Sequence, residues 1–360
     1  MLIFLCVFIS STSPVFAGGS EKGKPFNAGE MIMHHIQDSH DWHLWDYKDE
    51  NEVIYPVSIP LPVILYHQGQ GLQVFMSSNF HHGHSSFKGY ALDHGKVKYV
   101  NENLNSDSHS GHFSFNEEES AKIWDFSITK NVLTVFIVAF LVVLVFSSVA
   151  RGYSKRPNSA PKGIQSLFEP IIVFIRDDIA RPIIGEKKYM KFLPFLLSVF
   201  FFIWFGNMLG LIPFIPGGAN MTGNIAVTLV MAIITFIITT LNGNGHYWRH
   251  ILAMPGVPWP LYIILTPIEL LGMVLKPLVL AIRLFANITA GHITILAFLS
   301  LIFILKQNMG DAAGWGASVA SVALSIFMTF LEILVAFLQA FIFTLLSATY
   351  FAAATEEAHH

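Results

Sequence analysis

From residue 131 onward, apolar runs follow one another with short polar breaks between them. Asn131–Ala150, "NVLTVFIVAFLVVLVFSSVA", carries no charge. As a helix it reaches roughly 30 Å, enough to cross the hydrocarbon core of a bilayer. Residues 163–183 alternate apolar and charged positions by helical turns, which predicts an amphipathic helix lying on the membrane surface. Phe192–Ile212 and Asn224–Leu241 predict two further spans, joined as a hairpin by a short connector containing "PFIPGG". "NGNGHYWRHILAMPGVP" reads as a turn. Trp259–Leu305 and Ala317–Ala354 are over-long apolar runs, separated by the weakly polar "KQNMGDAAGWG", read as a loop. A helix over the first run is too long for one perpendicular span, so tilting, bending or a break near Pro260, Pro267 or Pro277 is expected.

The pattern ahead of residue 127 differs. "MIMHHIQDSHDWHLWDY" begins as a short helix, and "VIYPVSIPLPVILYHQ" and "LQVFMSS" read as strands around the turn "GQG". "LDHGKVKYV" suggests another hairpin, followed by a polar linker. The predicted fold class is therefore an all-α polytopic membrane protein with about five passes and a surface amphipathic helix, preceded by a small β-containing domain. The domain boundaries are 1–17, 18–126 and 127–360. The first segment, "MLIFLCVFISSTSPVFA", has the apolar core and small terminal residue of a signal peptide but no basic start.

Composition sharpens this division. The chain is 53% apolar and 12% charged, whereas soluble domains carry about 25% charge. Residues 18–130 hold 8 Lys, no Arg and 15 Asp plus Glu, a balance of −7. Arg151, Lys155, Arg156 and Lys162 follow the first span at once. That side is therefore read as cytoplasmic, the N-terminal domain as extracytoplasmic and, after five passes, the C-terminus as cytoplasmic. The single cysteine, Cys6, excludes an intramolecular disulfide and a Cys-cluster metal site. Eleven of 16 histidines lie in residues 18–130. The "HHGH" group, His81, His82 and His84, is a candidate for imidazole ligation; the plainer reading is exposed histidines of a soluble domain.

Ionisable groups within the two longest runs are few: Glu269, Lys276, Arg283 and His292 on the first, Glu332 on the second. Such groups cost several kcal/mol each in a membrane and face protein interior or a water-filled path. At about 100° per residue, Glu269, Lys276, Arg283 and Asn287 share one broad face, and His292 lies about 180° from Arg283 and roughly 13 Å further along. Glu332 and Gln339 share a stripe on the second run. Paired antiparallel, the helices can set Gln339 level with Arg283 and Glu332 near His292. Glutamate and histidine can pass protons, whereas arginine never gives one up, so Arg283 would separate two polar routes. Without further information these residues describe an ion-translocating membrane protein with two half-paths.

"KPLVLAIRLFANITAGHI", "LEILVAFLQAFIFTLLSATYFAAATEEAHH", "FGNMLGLIPF" and "TGNIAVTL", in that order, resemble the bacterial subunit a of F-type ATP synthases over about residues 127–360. The resemblance implies a membrane stator beside a rotating ring of c subunits, with the two long tilted helices at the rotor interface. It implies that Arg283 is the essential arginine, that Asn287 and Gln339 are its polar neighbours, and that Glu269 serves the cytoplasmic route. His292 and Glu332 then belong to the outer route, with acid and base exchanged relative to many bacterial members. Implied partners are the c-ring, the peripheral stalk subunit b, the other synthase subunits and the lipid bilayer of a bacterial inner membrane. No cofactor, catalytic site or nucleic-acid partner is expected, and no ATP binding, since no G-x-x-x-x-G-K-[ST] phosphate loop is present. The alternative reading is a self-contained ion channel or secondary transporter.

Overall fold

The computed structural model describes residues 26–48, 54–93, 95–100, 113–156, 160–212, 218–252, 258 and 261–356. The expected signal segment, His94, His109, His112, Pro260 and most of the "PFIPGG" connector lie outside the described residues, as does the side chain of His34. The chain forms two compact units. One comprises Met1–Thr134 with Leu296–Leu324, the other Val135–Ile295 with Ser325–His360.

In the first unit, α1 (Ala28–Ile36) starts at Asn27, whose side chain accepts the Glu30 N–H. Strands β1 (Asp41–Lys48) and β2 (Ile54–Pro60) pair antiparallel. β3 (Pro62–His67) and β4 (Gly71–Met76) form the expected hairpin about residues 68–70. A tight helical turn over 77–83 leads to the second expected hairpin, β5 (Tyr90–Asp93) with β6 (Lys96–Tyr99). After the short α2 (Glu117–Ser120), β7 (Ile123–Asp125) joins the other edge of β3, giving a β4–β3–β7 sheet. Alternation sends Val63, Leu65 and Phe75 inward, onto a core with Phe80, Tyr90 and Val97.

The opposite face of this sheet is apolar as well. Tyr66 lies between Leu72 and Trp124. Ile64 pairs with Val74 on one side, and on the other its carbonyl accepts the Phe126 N–H at 2.8 Å. Pro62 pairs with Met76, and its carbonyl accepts the Ile128 N–H at 3.1 Å. Helix α3 (Lys130–Lys155) begins two residues later. Asp38 caps it, accepting the Asn131 N–H at 3.2 Å and the Thr129 hydroxyl at 2.8 Å. A carboxylate suits the partial positive charge at a helix start.

In the second unit, α4 (Ile164–Phe174), a wider π-type turn over 175–180 and α5 (Arg181–Ile184) make one nearly continuous element over the predicted amphipathic segment. Phe168, Ile175, Ile179 and Ile184 form its buried face. Asp177 lies on the other side, where the Arg176 guanidinium beside it holds its carboxyl below the usual range. Helices α6 (Tyr189–Leu211) and α7 (Ile225–Leu241) are the expected hairpin. The segment read as a turn instead contains α8 (Gly245–Leu252), bent 106° from α7. Asn244 accounts for the difference: its Oδ1 accepts the Tyr247 N–H at 2.9 Å and restarts the helix.

The two long runs are α9 (Tyr262–Met309) and α10 (Asp311–Thr355). Neither Pro267 nor Pro277 ends α9. The expected loop at 306–316 is absent, and Gly310 alone separates the helices. Its φ of +87° is a conformation glycine adopts without steric cost, so the chain turns within one residue. Lys306 ion-pairs with Asp311 across the corner at 3.1 Å. Lys306 and Gln307, part of what suggested a loop, are good helix formers, and a helix need not stop where its apolar face does.

Among the described residues, four helices, α3, α6, α9 and α10, are long and apolar enough to cross a membrane, and the bent α7–α8 pair is a fifth candidate. Within the second unit the core is aromatic and dense. Phe146, Phe168 and Phe205 ring Phe201, and Phe192 stacks on Phe351 at 4.6 Å between centroids.

Candidate functional site

Two contacts fix how α9 and α10 pair within the second unit. His292 Nδ1 is 3.5 Å from Glu332 Oε1. Nearer the C-terminus of α10, the Tyr350 hydroxyl donates to the Lys276 carbonyl at 3.5 Å. The residue numbers add to 624 at one contact and 626 at the other, so the helices run antiparallel in nearly constant register. Gln339 then lies opposite 285–287, and Arg283 sits about 3–6 Å along the axis from that level.

Ala336, Ala340, Thr344, Ser347 and Ala348 are buried on one stripe of α10, and Leu280, Ala281, Leu284 and Ile288 on one stripe of α9. Glu332 and Gln339 lie on the buried stripe, each only 5% exposed. A Cβ on Gly291 would collide with Glu332 Oε1, so the missing side chain is what admits the carboxylate against the α9 backbone. Neither Glu332 oxygen has a hydrogen-bond partner among the described residues, nor does His292 Nδ1. Among the described residues, His292 is the ionisable group that approaches this acid within 4 Å.

Arg283 and Asn287 occupy a different surface. Both are exposed, one turn apart, among exposed Val279, Ile282 and Ile293. The helical spacing that put them together and His292 elsewhere holds in three dimensions. Glu269 is half-buried near the start of α9, where the Thr266 hydroxyl bonds to the last residue of α8 at 3.0 Å. It lies 14 residues before Arg283, roughly 21 Å along the helix. Lys276 is exposed.

Sequence reasoning missed several members of this neighbourhood. Asn207 on α6 is buried, donates to the Ala336 carbonyl at 3.3 Å and accepts the Thr222 hydroxyl at 2.5 Å. Gly210, one turn on, faces His292, whose Nε2 lies 4.0 Å from where a Cβ would stand. The legible signal was a lone asparagine inside an otherwise apolar span. The role of Gly291 carried no such signal, because it depends on a neighbour 41 residues away.

The domain's histidines have other partners. His67, 1% exposed, bonds Tyr90 through Nδ1 at 2.9 Å and Glu119 through Nε2 at 3.3 Å. His40 is buried against Asp125 at 3.3 Å. His81, His82 and His84 are exposed, and His82 faces Asp41 at 3.2 Å. Among the described residues, no group of three or more His, Cys, Asp or Glu is gathered to hold a metal.

Residues 132–352 match the family model described as ATP synthase A chain. The chain belongs to the ATP synthase A chain family. Glu269, Arg283, Asn287, His292, Glu332 and Gln339 all lie within the A-chain match. The "ATP synthase subunit a 2" of Chlorobaculum tepidum is 46% identical over 238 residues, 64% of this chain and 64% of that one. That of Chlorobium luteolum is 47% identical over 249 residues, 66% of this chain and 70% of the other. "ATP synthase subunit a" of Chlorobium phaeobacteroides is 46% identical over 233 residues, 63% and 65% of the two chains. The chain thus spans about two-thirds of the length of these A-chain relatives. Residues 31–126 match a second family, described as Domain of unknown function (DUF8433). Family and helices together make this a multi-pass membrane protein.

Proposed function

We propose that this chain is the proton-conducting stator subunit of a bacterial F-type ATP synthase. The observation that carries the reading is the buried Glu332–His292 pair on the same two helices that expose Arg283 to one side. His292 and Glu332, with Asn207 nearby, form the outer half-channel, Gln339 is a polar neighbour of Arg283, and Glu269 begins the inner half-channel. Arg283 and Asn287 face a c-subunit ring, each of whose subunits carries a carboxyl group past them.

The physics of the step follows from charge. A carboxylate is costly in hydrocarbon, so a ring position leaves the interface only when protonated. Beside Arg283 the ionised form is favoured, and the proton is released inward. Arg283 cannot itself hand on a proton, so the two half-channels do not short-circuit. Each charge crossing 100 mV supplies about 2.3 kcal/mol, so several steps are combined for each ATP made elsewhere in the assembly.

In this reading residues 1–17 are a signal peptide, 18–126 a periplasmic domain and 127–360 the membrane domain, with five passes and a cytoplasmic C-terminus. Subunit b and the remaining synthase subunits complete the assembly, and no ATP binds this chain. The test is Arg283→Ala in the assembled complex, in vesicles given an artificial proton gradient. Loss of ATP synthesis with the ring still bound is expected; persistence of synthesis overturns the proposal. Proton uptake by the purified chain alone, at transporter-like rates, points instead to a self-contained transporter.

A further inference from the structure

The outward face of the β4–β3–β7 sheet is apolar. An antiparallel sheet ordinarily buries one face and turns a polar one to water. Here the outward positions carry Leu72, Tyr66 and Trp124 in one row and Val74, Ile64 and Phe126 in the next. Leu72 and Phe126 are 64% and 60% exposed, and Trp124 stacks on Phe126. No charged residue interrupts the face, although residues 18–130 hold 15 acidic and 8 basic side chains. A contiguous apolar patch bordered by charge marks a contact surface.

We infer that this face rests on the outer leaflet of the bilayer. The argument is continuity with the membrane. β7 does not end in a flexible tether; its backbone stays bonded to β3 through Phe126 and Ile128, and α3 starts at Lys130. The entry is fastened from the domain side. Asp38 caps the helix, the Lys130 N–H donates to the Ser39 carbonyl, and the Lys130 ammonium donates to the His35 carbonyl. With strand residues spaced about 3.3 Å apart, the rows through Phe126 and Trp124 stand only roughly 7 and 13 Å beyond Ile128. The apolar rows therefore start where a membrane-crossing helix emerges. Tryptophan and tyrosine, apolar bodies with one polar atom, are the side chains that partition to this zone. The occupant is lipid at the headgroup–acyl boundary, and the acidic surfaces of the domain turn toward water. The inference does not depend on the proton path proposed above.

The experiment uses the full chain in its complex, reconstituted into phosphatidylcholine–phosphatidylglycerol nanodiscs. In a Cys6→Ser background, nitroxide labels are placed at Val74→Cys, at Phe126→Cys and, as a hairpin control, at Lys96→Cys. Collisions with oxygen, which concentrates in lipid, should exceed those with a water-soluble nickel chelate at 74 and 126, with the opposite balance at 96. Equal nickel access at all three positions overturns the proposal, because the face is then wet. Shielding of 74 and 126 from both reagents also overturns it, because a protein then covers the face. A second measurement avoids cysteine: brominated lipid should quench the fluorescence lost in Trp124→Phe. An unquenched Trp124 component overturns the proposal.

Discussion

His292 on α9 stands 3.5 Å from Glu332 on α10, with Gly291 beneath the carboxylate. In the function proposed above, this acid and base form a relay whose members can trade places. Glu332→Gln should cut ATP-driven proton pumping by about 10²-fold, the lower end of what a positioned acid–base group contributes. The double exchange His292→Glu with Glu332→His keeps one acid and one base in contact and should recover part of the loss. Fluorescence quenching in inverted vesicles measures both; a double variant no better than either single one refutes the relay.

Gly291→Ala sets a methyl group against Glu332 Oε1. Overpacking of this kind costs about 1–3 kcal/mol when the surroundings cannot yield. Here the carboxylate must move, so pumping should fall although every ionisable group remains. Gly316→Ala on α10 meets nothing within 4 Å and should leave pumping unchanged. Both variants need the same vesicle assay and a check of the amount of assembled complex.

Asn207 ties α6 to the Ala336 carbonyl and accepts the Thr222 hydroxyl. Asn207→Leu strands that hydroxyl in a buried site, a cost of about 1–3 kcal/mol. Adding Thr222→Val removes the orphan and should restore part of the thermal stability. Melting of the detergent-solubilised chain reads the difference, and additive losses would show that the two groups do not interact.

The N-terminal domain should be acid-sensitive in a defined direction. Burial opposes ionisation of Asp41, but hydrogen bonds from His82 and Ser77 outweigh it and hold its carboxyl below the ordinary 3.8. Asp125 is likewise desolvated, and His40 and Ser127 lower it. A depressed folded-state pKa gives stability that is present above the unfolded value and lost as pH falls through the folded one. Protection from hydrogen exchange, taken relative to each amide's intrinsic rate, should therefore be high over Asp41–Lys48 and Ile123–Asp125 at neutral pH and fall below about 3.8. Asp125→Asn should flatten part of that response.

Much of the membrane part was legible because a bilayer imposes a length and a polarity on whatever crosses it. Asn131–Ala150 and Phe192–Ile212 differ from the observed α3 and α6 mainly by a few terminal residues. Apolar runs do not reveal where helices end. The polar residues at 306–316 suggested a loop, yet both helices continue to Gly310, and Asn244 starts a helix inside an expected turn. Each ending is decided by one residue's backbone freedom or one capping bond, too local to alter a hydrophobic pattern.

The sequence by itself determined that a few ionisable residues lie on two long apolar helices, and which of them share a face, because helical spacing is set by the backbone. Only the tertiary structure decided that His292 meets Glu332, that Gly291 admits the carboxylate, and that Asn207 reaches Ala336 from a third helix. It also decided that the β4–β3–β7 sheet turns an apolar face outward, because strand pairing joins residues such as Tyr66 and Trp124 that lie far apart in the chain. Register between helices and between strands arises from the packing of side chains on both partners, and neither partner's sequence contains it alone.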